Sequence, residues 1–86
     1  MRRPVTITLL FFAAVRELVG HSQQRLQLPE HVKTVAHLAV HLEQVIPSLQ
    51  GRLKAVRFAR NEELVQQDQV LGEGDVIALI PPVAGG

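Results

Sequence analysis

Cysteine, tryptophan and tyrosine are all absent from this chain of 86 residues. Without a thiol there is no disulfide framework, no thiolate metal site and no cysteine nucleophile. Three phenylalanines are few for base-stacking platforms, and a net charge of +1 is too small for a general nucleic-acid binder. The longest apolar stretch, residues 5–15, falls well short of the roughly 20 residues that span a bilayer. Disorder is also excluded as the default, because the apolar set is 47% and charged residues only 20%. What remains is one small compact domain, since a second would need its own core.

The charge is divided unevenly. Residues 1–60 hold all nine Lys/Arg against Glu17, Glu30 and Glu43, a balance of +6. Residues 61–86 hold Glu62, Glu63, Asp68, Glu73 and Asp75 with no base, a balance of −5. In a single small domain these halves interleave, so internal charge balance is the expected reading, with a polarised docking surface as the alternative.

Arg2 and Arg3 before an apolar stretch superficially resemble a secretion signal. The pattern inside argues otherwise, because Val5, Ile7, Leu9 and Phe11 alternate with Thr6 and Thr8 at the period of a β-strand. A cytoplasmic protein with no membrane partner is expected. The first strand is placed at 5–12 and becomes apolar on both faces at Leu10–Phe12, as a central strand would. A short helix follows over 13–19, stopped by Gly20. Residues 21–24 read as a polar link, and Leu26 and Leu28 as a short second strand closed by Pro29.

Thr34 is an N-cap candidate for the main helix, whose apolar stripe is Val35, Leu38, Leu42, Val45 and Ile46. Pro47 ends that helix near Ile46. A third strand is expected over 53–59, with a bulge at Ala55 and Val56 that leaves its register open. A turn at 60–62, a short strand at Leu64 and Val65, and a tight turn at 72–75 lead to the last strand, 76–80. That strand is apolar at every position and reads as buried on both faces. The order predicts an α+β fold: a mixed sheet, one main helix on one face, and the first and last strands together at the centre. This is a β-grasp (ubiquitin-like) domain over 1–80.

Residues 81–86, Pro-Pro-Val-Ala-Gly-Gly, form an extended tail. Two prolines stop the ladder, and six residues reach roughly 20 Å. Side chains then shrink to a methyl and to nothing, a thread narrow enough for a tunnel. Its one reactive group is the Gly86 carboxylate, a poor electrophile until activated, for example by adenylation with ATP on a partner. A sulfur nucleophile would then leave a thiocarboxylate.

Residues 10–20, Leu-Phe-Phe-Ala-Ala-Val-Arg-Glu-Leu-Val-Gly, resemble the corresponding segment of the molybdopterin synthase small subunits, within the ThiS/MoaD sulfur-carrier family. Gly72-Glu73-Gly74-Asp75-Val76 with the Pro-Pro-Val-Ala-Gly-Gly end resembles the same family's C-terminus. The resemblance implies a sulfur carrier that is no enzyme on its own. An E1-like (MoeB-like) adenylyltransferase would adenylate Gly86 with ATP, and a sulfur donor protein would supply the thiocarboxylate sulfur. The tail would enter the large catalytic subunit (MoaE-like) in a heterotetramer and donate sulfur to cyclic pyranopterin monophosphate, for molybdenum cofactor biosynthesis. On that resemblance Gly86 bears the sulfur and Gly85, with Ala84, clears the tunnel. Pro81, Pro82 and Val83 set direction, and Ile80, Phe12 and Arg16 are docking candidates. Ile80 stands where the family often has an aromatic residue. The alternatives are a carrier for thiamine thiazole synthesis and a ubiquitin-like modifier.

Other features point to no further chemistry. His37 and His41 are spaced i, i+4 with His31 nearby, but no Glu follows His37 as in a zincin motif, so solvent-facing helix residues and no metal are expected. Gly72 and Gly74 lack the rest of a dinucleotide fingerprint. Arg52, Lys54, Arg57 and Arg60 could bind anions, but a solvated strand face is the expected reading. No permanently bound cofactor is expected.

Overall fold

A computed structural model describes residues 4–82. The elements are β1 (Val5–Phe11), α1 (Ala13–Val19), β2 (Gln23–Leu28), α2 (Val35–Val45), β3 (Arg57–Arg60), β4 (Glu63–Val65) and β5 (Val76–Ile80). A 3-10 turn at Pro47–Leu49 follows α2. One five-stranded sheet has the order β2-β1-β5-β3-β4. β5 lies in the middle, parallel to β1 from Thr8↔Val76 to Phe11↔Leu79 and antiparallel to β3 from Arg57↔Ile80 to Arg60↔Ile77. The first and last strands are thus neighbours, as expected, and the architecture is the ubiquitin-like β-grasp.

Alternation along the strands decides what each face does. Ile7, Leu9 and Phe11 of β1, Leu28 of β2, Phe58 of β3, and Ile77 and Leu79 of β5 point to one side. They meet Val35, Leu38 and Leu42 from α2, with Val15, Val32, Leu49, Leu53 and Leu71 closing the core. Thr34 caps α2: its Oγ1 accepts the His37 N–H at 3.3 Å, as its position predicts. Helix geometry stops at Ile46, whose extended φ of −121° is what a following proline favours. Val45 is 47% exposed, so the core stripe of α2 ends at Leu42, with Ile46 packed at the edge. Gly20 ends α1 in the left-handed region at φ 95°, donating its N–H to the Arg16 carbonyl.

Three expectations are corrected. The third strand is Arg57–Arg60 rather than 53–59, because Leu53 reaches the core from a turn in which Val56 N–H donates to the Leu53 carbonyl. The adjacent apolar pair Ala55 and Val56 marks that turn and not a bulge. The second strand begins at Gln23, since pairing with β1 down to Leu10↔Gln23 recruits polar residues that periodicity assigned to a link. The last strand is buried on one face only: Ile77 and Leu79 are inside, whereas Val76, Ala78 and Ile80 are half-buried. A single long helix covers one side of the sheet, and among the described residues no element covers the other.

Candidate functional site at the open sheet face

The open face is built from the residues that alternate with the core set. Leu10, Ala78 and Ala59 lie side by side across β1, β5 and β3 through the pairs Leu10↔Ala78 and Ala59↔Ala78. Two alanines among bulky neighbours leave a hollow of about 550 Å³, walled by Leu10, Phe12, Val76 and Ile80 and bounded by Asn61 and Glu62. Phe12 leaves the ladder where Ala13 turns to φ 47° and is 44% exposed, an outlay of apolar surface that a free domain does not need.

The same strand that floors the hollow delivers the tail. β5 ends at Ile80, Pro81 is half-buried and Pro82 exposed. Phe12 and Ile80, both expected at a docking surface, therefore line one cavity beside the root of the tail. Arg16 is exposed on α1 and does not line it. Val83, Ala84, Gly85 and Gly86 lie outside the described residues. Sequence reasoning missed Leu10, Ala59 and Ala78. The signal available was the pair of small residues in otherwise bulky strands, at positions out of phase with the core.

The start of β5 is pinned by one carboxylate. Asp75, 6% exposed, accepts from Arg60 Nε at 2.8 Å, Asn61 Nδ2 at 3.1 Å and the Gly72 N–H at 2.7 Å. Asn61 Oδ1 in turn accepts the Val76 N–H at 2.9 Å. Burial pushes the Asp75 carboxyl up, but the hydrogen bonds from Arg60, Gly72 and Asn61 and the Arg60 charge outweigh it, leaving the group below its ordinary value. The Thr8 N–H donates to the Asp75 carbonyl and the Gly74 N–H to that of Thr6, tying this corner to β1.

Two other concavities lack such chemistry. A groove of about 800 Å³ runs along α2 and the 3-10 turn, on the far side of the sheet, among Ala36, Ala39, Glu43, Gln44 and Pro47. It is the larger cavity, but it touches neither the tail root nor any cluster of reactive groups. His31, His37 and His41 share a smaller hollow. There His37 Nδ1 accepts the Lys33 N–H at 3.2 Å, and the His31 and His41 rings meet edge to face at 6.2 Å. Among the described residues no three His, Asp or Glu converge as metal ligands. None of the described helices is long and apolar enough to cross a membrane.

The chain is similar to known proteins over nearly its whole length. The molybdopterin synthase sulfur carrier subunit of Escherichia coli is 39% identical over 93% of this chain and 99% of its own length. A putative molybdopterin converting factor subunit 1 from Pyrococcus furiosus superposes with a TM-score of 0.80 at 26% identity, covering 92% of this chain and 99% of that one. SAMP1 of Haloferax volcanii gives the same TM-score, 0.80, at 26% identity, over 94% of this chain and 99% of its own. The ThiS family profile matches residues 9–86. With a ubiquitin-like sheet, an uncovered apolar face and a sequence alike from end to end, the chain belongs to the ThiS family, beside the molybdopterin synthase sulfur carrier subunits.

Proposed function

We propose that this chain is the sulfur-carrier subunit of a molybdopterin synthase. The observation that carries the reading is that the central strand β5 floors an uncovered apolar hollow and runs straight into Pro81 and Pro82. A domain so built can be held by its sheet face while its last residues enter another protein. The chemistry then lies at Gly86. An E1-like adenylyltransferase joins its carboxylate to AMP from ATP, releasing pyrophosphate. Sulfide-level sulfur handed over by a donor protein attacks the acyl carbon and breaks its bond to AMP, which leaves, so that a thiocarboxylate remains.

The tail next enters the large catalytic subunit, in a complex of two large and two small chains. There it donates sulfur to cyclic pyranopterin monophosphate. Pro81, Pro82 and Val83 direct the thread, and Ala84 and Gly85 keep it narrow. Phe12 and Ile80 dock the domain, and Arg16, exposed on α1 outside the hollow, is a further docking candidate. The chain contributes no catalytic machinery of its own: the adenylylating and sulfurating steps belong to the partners, and no cofactor is held permanently.

Intact-mass measurement of the chain co-expressed with its native partners tests this. The expected result is the mass gain of one oxygen-to-sulfur exchange, lost on deletion of Gly86 while the melting temperature stays unchanged. High-mass conjugates to lysine would instead make the chain a modifier. Reconstitution with the pterin acceptor and with a thiazole-forming system would decide between those two acceptors.

A further inference from the structure

The open face is not apolar throughout. Arg57 shares it with Ala59, because residues two apart on a strand point to the same side. It stands directly opposite Ile80 in the β3–β5 register, which puts the two Cβ atoms about 5 Å apart. Arg57 is exposed and makes no ion pair among the described residues. Arg60, on the opposite face of the same strand, is held by Asp75. A guanidinium on a bare sheet is well solvated. Covered by another protein it is not, and a charge taken from water without an opposite charge and hydrogen bonds is costly. Its planar fork is matched by a carboxylate, which can accept two parallel bonds.

We propose that Arg57 is a specificity residue of the docking surface: the subunit that covers the hollow sets a carboxylate against Arg57, beside the mouth through which residues 81–86 enter. This rests on the reading that the open face is the interface with the large subunit, and adds the chemistry that subunit must present. The fitting surface carries an apolar projection over Ala59 and Ala78, with an acidic side chain at the tail end. At the other end of the hollow stands Glu62. Arg25 of β2 also lies on this face, in the row of Arg25, Thr8 and Val76 at the end away from the tail. The charges are thus set asymmetrically, with Arg57 beside the tail root and Glu62 and Arg25 on opposite flanks of the far end, and a complementary partner docks in one orientation only. That orientation matters because a six-residue thread of roughly 20 Å converts a small rotation of the domain into a large displacement of its tip.

The test is the affinity of the full chain for its native large subunit, measured by calorimetry at two salt concentrations. Arg57→Ala, Arg57→Lys and Arg57→Glu are compared with Phe12→Asp and Ala78→Glu, which put charge into the hollow itself. Thermal melts establish that each variant is folded. Arg57→Ala is expected to weaken binding about tenfold and to flatten its salt dependence, and Arg57→Glu to weaken it about a hundredfold, with Arg57→Lys in between. Arg57→Glu binding as tightly as the unaltered chain, while Phe12→Asp abolishes binding, overturns the role of Arg57 and leaves the docking face standing. Should Phe12→Asp and Ala78→Glu also bind normally, the face is not the interface and the underlying reading fails with it.

Discussion

Asp75 is the residue on which the entry to the central strand depends. Three donors converge on its carboxylate: Arg60 and Asn61 from the end of β3, and the Gly72 N–H from the turn before β5. Removing the acceptor in Asp75→Ala leaves the Gly72 N–H without its partner. The Arg60 guanidinium, partly exposed, turns to water instead. A loss of about 2–3 kcal/mol at neutral pH is expected from denaturant melts. The pH dependence follows from the depressed carboxyl. Its stabilisation is complete above the ordinary value of 3.8 and fades as pH falls through the lower folded value. Asp75→Ala is therefore expected to flatten the acid limb of the stability curve below about pH 4. An acid limb as steep in the variant as in the parent would place the responsible carboxylate elsewhere.

At the scale of elements, α2 carries a second titration of opposite origin. Burial of His41, and then the nearby His31 charge, lower the His41 pKa from its ordinary 6.5. A base with a depressed folded value imposes no penalty above pH 6.5; as pH falls below that, the unfolded chain takes up the proton first and stability drops. The melting temperature should fall between about pH 7 and 5, and His41→Gln should remove most of that slope. An unchanged slope would mean that the pair is too well solvated to matter.

The same elements show what was legible from sequence. β1 stands out by its alternation and α2 by its apolar stripe and its Thr34 cap, and both lie within a residue or two of the ranges the sequence predicts. β3 was misplaced because Leu53 is buried from a turn, and burial alone carries no signature of strand geometry. Gln23 and Gln24 became strand through backbone pairing with β1, to which side-chain polarity is blind. In the site, the bulky Phe12 and the terminal Ile80 were visible. Ala59 and Ala78 were not, because a small apolar residue reads the same in a core and on the floor of a hollow.

For the whole molecule, the proposed function assigns the two faces of the sheet different tasks, folding to one and recognition to the other. Adjacent residues of β5 make the separation measurable. Leu79 is fully buried against the α2 side, whereas Ile80 is half-buried on the open face beside the tail root. Leu79→Ala should cost about 2–5 kcal/mol through lost transfer energy and a residual cavity, with binding to the partner reduced only as far as the folded fraction falls. Ile80→Ala should cost no more than about 1 kcal/mol, because the site already opens to water and can relax. Its effect should fall on association with the proposed large subunit, because a wall of the hollow is missing and Arg57 loses its apolar neighbour. Denaturant melts and binding measurements on both variants draw the line between the two roles. Equal losses of stability, with no difference in binding, would mean that the open face belongs to the fold and not to the interface.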